Sequence, residues 1–417
     1  MEPINLLKFP KAWNQLVFSS SKPQILLKIA LFVKKWQEKH QAGGMERHAL
    51  TLYLALAKRG HDIHIFTTTS SANIPSMIMS NLYFHISRPI IGSGYLDQVV
   101  AWKQFLEENV TKAFDVIHTE CVKLRLTRSN NYLNNLAVSW HGIAYETKHS
   151  NIIQEVVRNP QDPSPLMTNG KMMKVVEEVK FFQYYAHHVA ISDHVGDVLK
   201  RIYMMPEKRV HIILNGVDEE IFKLDISKGN DFLLKLGIMP NKSRSSIILG
   251  LSGRLVKDKG HPLMFKDNVI VLIAGSGPWG DRYKELRSNL MVLGPLERAQ
   301  LAGFYNAIDV FTPLEAFLTS KPVMATKVAS FTGSIIVSEE MGCTISSIIK
   351  DLKKKMLQKK GGFAKERGLK LFTATKMVAA YERLFLCISA TDNDGKQQQR
   401  HQDYYIYEPY QEMDLFT

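Results

Sequence analysis

The residues best equipped for chemistry lie together in Gly253-Arg254-Leu255-Val256-Lys257-Asp258-Lys259-Gly260. The apolar run Ile247–Leu251 just before them reads as a buried strand. Arg254 and Lys259 therefore sit on a loop leaving a strand end, with Gly253 and Gly260 at its two ends. A guanidinium chelates phosphate oxygens and an ammonium acts as a point charge. Fixed in a dry crevice, such a pair stabilises a diphosphate whose negative charge grows as it leaves a sugar. The octapeptide alone is also compatible with two surface cations beside a loop.

Other positions suit the same kind of ligand. Gly43 and Gly44 follow a strand candidate and precede a helical run. Glycines there let backbone N–H groups approach a phosphate at a helix N-terminus, or simply make a tight turn. Gly275 and Gly277, in Gly275-Ser276-Gly277-Pro278, close a second apolar run; they border a ligand or form an ordinary strand-to-helix turn. His141 follows the run LAVSW directly and precedes Gly142, so it is either a site group or a structural histidine. Glu315 opens a short helical run, Leu314–Thr319, where a carboxylate also suits the helix dipole.

Positioning these residues takes alternating strands and helices. Ile25–Val33 reads as a strand, Glu46–Arg59 as a helix ended by Gly60, and Asp62–Thr67 as the next strand. Phe114–His118, Leu136–Trp140, His188–Ile191 and His211–Leu214 are further strands, with a helix over 193–201 and a turn at Asn215–Asp218. The rhythm restarts with strands at Ile247–Leu251, Val269–Ala274, Leu290–Leu293, Asp309–Phe311 and Pro322–Thr326. One long helix over Leu369–Ile388 packs at the end, and the segment from Thr391 is polar. The pattern predicts two Rossmann-like, doubly wound α/β domains.

Bulk properties narrow the function classes. The chain has 417 residues, 45% hydrophobic and 22% charged, which suits a globular protein of more than one domain. A net charge of +13 favours anionic partners without choosing among them. Nucleic-acid binding would rest on that charge alone, so none is expected. Three cysteines far apart, Cys121, Cys343 and Cys387, support neither a disulfide framework nor a zinc site, and no metal site is expected. No run reaches the roughly 20 apolar residues of a membrane span, and no signal peptide is evident. A dinucleotide fingerprint G-x-G-x-x-G is missing after the first strand, which counts against an oxidoreductase.

Six stretches, GGMERHA (43–49), AVSWHGIAYE (137–146), ILNGVDEEIF (213–222), GRLVKDKG (253–260), AGSGP (274–278) and LEAFLTSKPVMAT (314–326), occur in an order that resembles the retaining glycosyltransferases of family 4, in a plant-type branch. The resemblance runs from about Ile25 to Ile388 and implies the GT-B fold. It implies an acceptor domain over 23–220 and a nucleotide-sugar domain over 221–368. Residues 1–22 form an undecided extension, 369–390 a C-terminal helix and 391–417 a polar tail. By the same resemblance, Arg254 and Lys259 hold the leaving diphosphate, Gly43 and Gly44 lie beside it, and His141 lies near the donor sugar. Gly253, Gly275 and Gly277 border the nucleotide, and Glu315 binds the ribose. The implied reaction moves a hexose from a UDP- or GDP-linked sugar to an unknown acceptor, with retention and without metal or cofactor. Some members carry an N-terminal anchor that this chain lacks, which leaves a cytoplasmic place or one at the surface of Golgi or other endomembranes.

The chain also departs from that pattern. The family carries two glutamates separated by seven residues. Ala307 stands eight positions before Glu315, and Asp309–Pro313 runs almost directly into the helix, so the loop that carries the first glutamate and touches the donor sugar is expected to be missing. Only His261–Asn268 remain for a crossover helix between the strands at 247–251 and 269–274, and Pro262 disfavours a helix there. A third shortening is expected around Thr344–Lys354. These internal deletions make a catalytically inactive remnant or scaffold the rival reading.

Overall fold

In the computed structural model, the described residues are 23–36, 44–69, 79–92, 95–120, 134–158, 161, 172–240, 247–253, 255, 269–285, 289–310, 318–325, 342–344 and 354–391. The first part of the chain builds a sheet of seven parallel strands. They are β1 (Lys28–Val33), β2 (Asp62–Thr67), β3 (Leu82–Ile86), β4 (Val116–Glu120), β5 (Leu136–Trp140), β6 (His187–Ala190) and β7 (Val210–Ile212). Their order is β3-β2-β1-β4-β5-β6-β7. Every residue of β1, β4 and β5 is buried, as expected of parallel strands covered on both faces.

This order sends the chain outward from β1 through β2 and β3, then back to β4 on the other side of β1. The strand order reverses between β1 and β4, and ligands of such sheets bind at the carboxyl ends of the strands at that point. The expected doubly wound sheet is present, with β3 as a strand that the sequence patterns did not reveal. β1 starts three residues later than expected. Ile25 and Leu26 are exposed because β2 begins only at Asp62, the register partner of Lys28. β4 runs to Glu120 rather than His118, because its ladder to β1 pairs Ile29 with Val116 and Val33 with Glu120.

The helices beside this sheet are α1 (Gly44–Lys58), α2 (Gln98–Thr111), α3 (Ala144–Arg158), α4 (Met172–Phe182) and α5 (Asp193–Arg201). Gly60 follows α1 with φ +105°, a backbone state that costs glycine little, and ends the helix as expected.

The second part contains α6 (Ile226–Lys235), β8 (Ile247–Ser252), β9 (Val269–Ala274), α7 (Gly280–Lys284), β10 (Leu290–Gly294) and α8 (Arg298–Ala307). Its strands are parallel in the order β10-β9-β8. Of the expected strand Asp309–Phe311, the described residues show a parallel bridge between Val310 and Leu249, and Phe311 lies outside them. The Asp309 carboxylate accepts the Ile248 amide at 2.8 Å, so this stretch serves as an anchor for the start of β8. β11 (Val323–Ala325) and β12 (Gly342–Thr344) pair in parallel, and β12 was not expected.

The chain ends its described part in α9 (Lys354–Leu371) and α10 (Ala374–Thr391). The single helix expected over Leu369–Ile388 is therefore two helices, interrupted at Phe372–Thr373. The break is made by the Asn215–Asp218 turn. Val217 N–H donates to the Phe372 carbonyl at 2.8 Å, and Ala374 N–H donates to the Val217 carbonyl at 2.8 Å. The Glu219 carboxylate then accepts the Ala374 amide at 3.0 Å, capping α10. α10 crosses back to pack on α1 and β4. Glu382 anchors it, taking Arg59 Nε at 2.6 Å and contacting His61 Nε2 at 2.9 Å. Tyr53, Leu56, Tyr381, Leu384, Phe385, Phe304 and Tyr305 belong to one continuous apolar core joining the two parts. Among the described residues, no helix is long and apolar enough to cross a membrane.

Candidate functional site

At the switch point the fold gathers side chains from three elements. Gly44 opens α1, and His48 follows one turn later on its buried face. Glu120 ends β4, and His141 stands directly after β5. His141 Nε2 is 2.6 Å from one Glu120 oxygen, and His48 Nε2 is 3.4 Å from the other. The His48 and His141 rings meet edge to face with centroids 4.6 Å apart. Glu120 is fully buried, whereas the His141 side chain keeps 12% exposure. Of this trio His141 is the most exposed, with His48 at 3% and Glu120 at 0%.

The electrostatics follow from burial and charge. Burial pushes the Glu120 carboxyl up, but the attraction of His48, His141 and His118 outweighs it and holds the group well below the usual range. Burial lowers His48, with Glu120 opposing. It lowers His118 to about 4, so that ring is neutral near pH 7. Behind Glu120, His118 Nδ1 is hydrogen-bonded to the Tyr53 hydroxyl and His118 Nε2 to Ser139 Oγ at 2.8 Å. Ser139 Oγ continues to the Tyr381 hydroxyl of α10 at 2.6 Å. The chain of polar contacts thus ties the C-terminal helix to the switch point. The ligand atoms of His48, Glu120 and His141 lie within 4.8 Å of one another, so the trio also has the composition to hold a divalent cation.

At the second sheet, the ends of β8 and β9 come together as backbone on backbone. Gly253 N–H donates to the Ala274 carbonyl at 2.9 Å, and Leu255 N–H donates to the Ser276 carbonyl at 2.9 Å. Gly275 has φ +146° and Gly277 has φ +158°. A Cβ on Gly275 would overlap the Gly253 carbonyl, and one on Gly277 would stand 2.7 Å from the Leu255 nitrogen. These glycines are required because two loops pass within contact of each other. Their arrangement fixes both neighbours of Arg254 at the carboxyl end of the sheet. Arg254 and Lys259 themselves, like Gly43 and Glu315, lie outside the described residues.

Other motif residues have structural partners. Ser192 is the N-cap of α5, its hydroxyl accepting the Val195 amide at 3.3 Å. Asp218 accepts the amides of Glu220 and Ile221 at 3.1 Å and pairs with Arg298 of α8 at 3.0 Å. Arg298 also reaches Thr51 of α1 at 3.4 Å, so it links the second part to the first. Ala307, eight positions before Glu315, is buried at the end of α8.

Sequence patterns passed over Glu120 and His48. Glu120 had one local signal, a carboxylate closing an apolar strand at its carboxyl end. His48 shares a helix face with Leu52, four residues on, which marks it as inward-facing.

Residues 42–221 match the sequence profile described as Glycosyltransferase Family 4. This match ends at the turn that docks against the α9–α10 break. The chain is 29% identical over 167 residues to the lipopolysaccharide core biosynthesis mannosyltransferase LpsB of Rhizobium meliloti, covering 33% of this chain and 46% of that protein. The match thus spans about half the length of that relative. Its fold is similar to that of a sucrose-phosphate synthase from Thermosynechococcus elongatus, with a TM-score of 0.66 and 18% identity over 88% of this chain and 100% of that one. HepE of Anabaena, solved with UDP and glucose, gives a TM-score of 0.59 and 16% identity over 86% of this chain and 99% of that one. The architecture is GT-B, as the motif order implied, and residues 42–221 are similar to the family 4 glycosyltransferase profile.

Proposed function

We propose that this protein transfers a hexose from a nucleotide sugar to an acceptor, with retention of configuration and without a metal at the reacting centre. The observation that carries the reading is the His141–Glu120 pair at the switch point, inside the segment that matches the family 4 profile. Support for the donor class comes from HepE, a structural neighbour solved with UDP-glucose. In this reading the donor lies against the Gly253–Leu255 and Gly275–Gly277 turns, with Glu315 on its ribose and the acceptor on the first domain. Arg254 and Lys259 hold the diphosphate while the bond from the sugar carbon to its oxygen breaks. Gly43 and Gly44 contribute backbone N–H groups from the opposite side. His141, oriented by Glu120, fixes a sugar hydroxyl near the reacting carbon. The acceptor oxygen attacks the face from which the diphosphate leaves, and its proton passes to that diphosphate.

The test is a melt with and without UDP, GDP, UDP-glucose and GDP-mannose, with Arg254→Ala beside it. Nucleotide at about 100 times Kd should stabilise the protein by about 2.7 kcal/mol, and the mutant should lose that response. With the matching donor and acceptor, Lys259→Ala should lower kcat/KM about 100-fold, by analogy with loss of one oxyanion donor. An unchanged kcat/KM would remove Lys259 from the mechanism.

A second reading, an inactive remnant, rests on the buried Ala307 where the resemblance requires a glutamate. Asp309, two residues on, has its carboxylate committed to the Ile248 amide. It expects no sugar transfer or donor hydrolysis across a donor panel. The plant-type branch with internal deletions belongs to the same proposal, and sequencing transcripts across codons 261–268, 307–315 and 344–354 tests it.

A further inference from the structure

A second cluster of ligand-type side chains lies away from the switch point, on the face of the first sheet that α2 covers. His64 stands in the middle of β2, and His85 stands in the edge strand β3. The parallel register pairs His64 with Tyr83 and Phe66 with His85, so the two histidines are diagonal neighbours on one face. His64 Nδ1 and His85 Nε2 are 2.9 Å apart, with the rings nearly parallel at 9°. Glu108 of α2 brings a carboxylate oxygen to 3.9 Å from His64 Nδ1. The three ligand atoms all lie within 4.8 Å of one another.

The surroundings hold the rings in place. Tyr83 stacks on His64, Phe66 stacks on His85, and Phe114 meets His64 edge to face. Two imidazole nitrogens aimed at each other can share only one proton, whereas a cation between them satisfies both lone pairs. Lys28, the nearby ammonium, donates to the carbonyls of Glu108 and Lys112 at 2.9 and 2.7 Å. The Glu108 side chain is 39% exposed, which gives an ion and its waters a way in.

We propose that His64, His85 and Glu108 bind a divalent late first-row transition metal such as zinc, cobalt or nickel. Two imidazoles and a carboxylate suit those ions, with water completing the shell. The ion joins β2, the edge strand β3 and α2, a structural staple separate from the transfer site.

The experiment is a titration of the metal-free full chain with Co²⁺, followed by its visible absorption and by Tm. One equivalent should bind with a nitrogen–oxygen ligand-field spectrum and raise Tm. Glu108→Gln, a half-exposed and mild change, should weaken that binding about 10-fold or more, and His85→Gln should weaken it further. His141→Ala should leave it intact, which separates this site from the trio at the switch point. The proposal fails if cobalt neither absorbs nor shifts Tm. It fails equally if the signal survives Glu108→Gln and His85→Gln but disappears in His141→Ala.

Discussion

Acidification from pH 6.5 to 4 should destabilise this protein by at least about 2.7 kcal/mol per pH unit, before most carboxylates titrate. Buried histidines cause it, and His118 and His188 alone account for that slope. His118 is lowered from 6.5 to about 4 by burial, and His188 from 6.5 to about 3 by burial and the charge of Arg209. Both are fully buried. Trp140 Nε1–H donates to His188 Nδ1 at 3.0 Å, a bond that a proton on Nδ1 would break. An imidazole whose pKa is lower in the folded state binds fewer protons there than in the unfolded chain. Its stability is therefore complete above 6.5 and is lost as pH falls through the window down to the folded value. These two alone give a slope of two protons, and His48, His64 and His85, lowered chiefly by burial as well, add to it. Below the ordinary carboxylate value of 4.5, Glu120 adds to the loss, because its folded pKa is depressed. Urea unfolding at half-unit pH steps measures the slope. His188→Gln should lower it by about 1.4 kcal/mol per pH unit, one proton's share, since an amide can accept from Trp140 without titrating. Stability that is flat between pH 7 and 5 would show that these rings are not held neutral by burial.

Gly275→Ala should cost about 3 kcal/mol and remove the melting response to nucleotide. Left-handed backbone costs an alanine about 1–2 kcal/mol, and overpacking adds about 1–3 kcal/mol. The added methyl overlaps the Gly253 carbonyl, which belongs to backbone and cannot swing aside. Moving that carbonyl moves the residue before Arg254. Gly237→Ala is the matched control, with φ +72° and nothing within 4 Å of the new Cβ. It should cost only the backbone term, about 1 kcal/mol, and leave the nucleotide response unchanged. Equal losses in the two variants would mean that the β8–β9 loop contact does not matter.

Much of the scaffold was legible because parallel strands buried on both faces are short apolar runs bounded by polar residues and glycine. Asp62–Thr67, Leu136–Trp140 and Val269–Ala274 have the bounds expected of them. The edge strand Leu82–Ile86 was not legible, since Tyr83 is 43% exposed and its run lacks that continuous apolarity. For the same reason His141 stood out after an apolar strand, while the partner that orients it did not. Glu120 acquires its meaning from three imidazoles delivered by α1, β4 and the end of β5.

The amino-acid sequence by itself determined the alternation of strands and helices, the glycines of the β8–β9 turns and the motif order that implies glycosyl transfer. Those are local properties, set by apolar periodicity and by backbone states open only to glycine. Tertiary structure decided where the last helix breaks, because the groups that replace its backbone hydrogen bonds, Val217 and Glu219, lie about 155 residues away. It also decided the protonation of Glu120 and His118, because burial and neighbouring charge act only once distant elements are packed together.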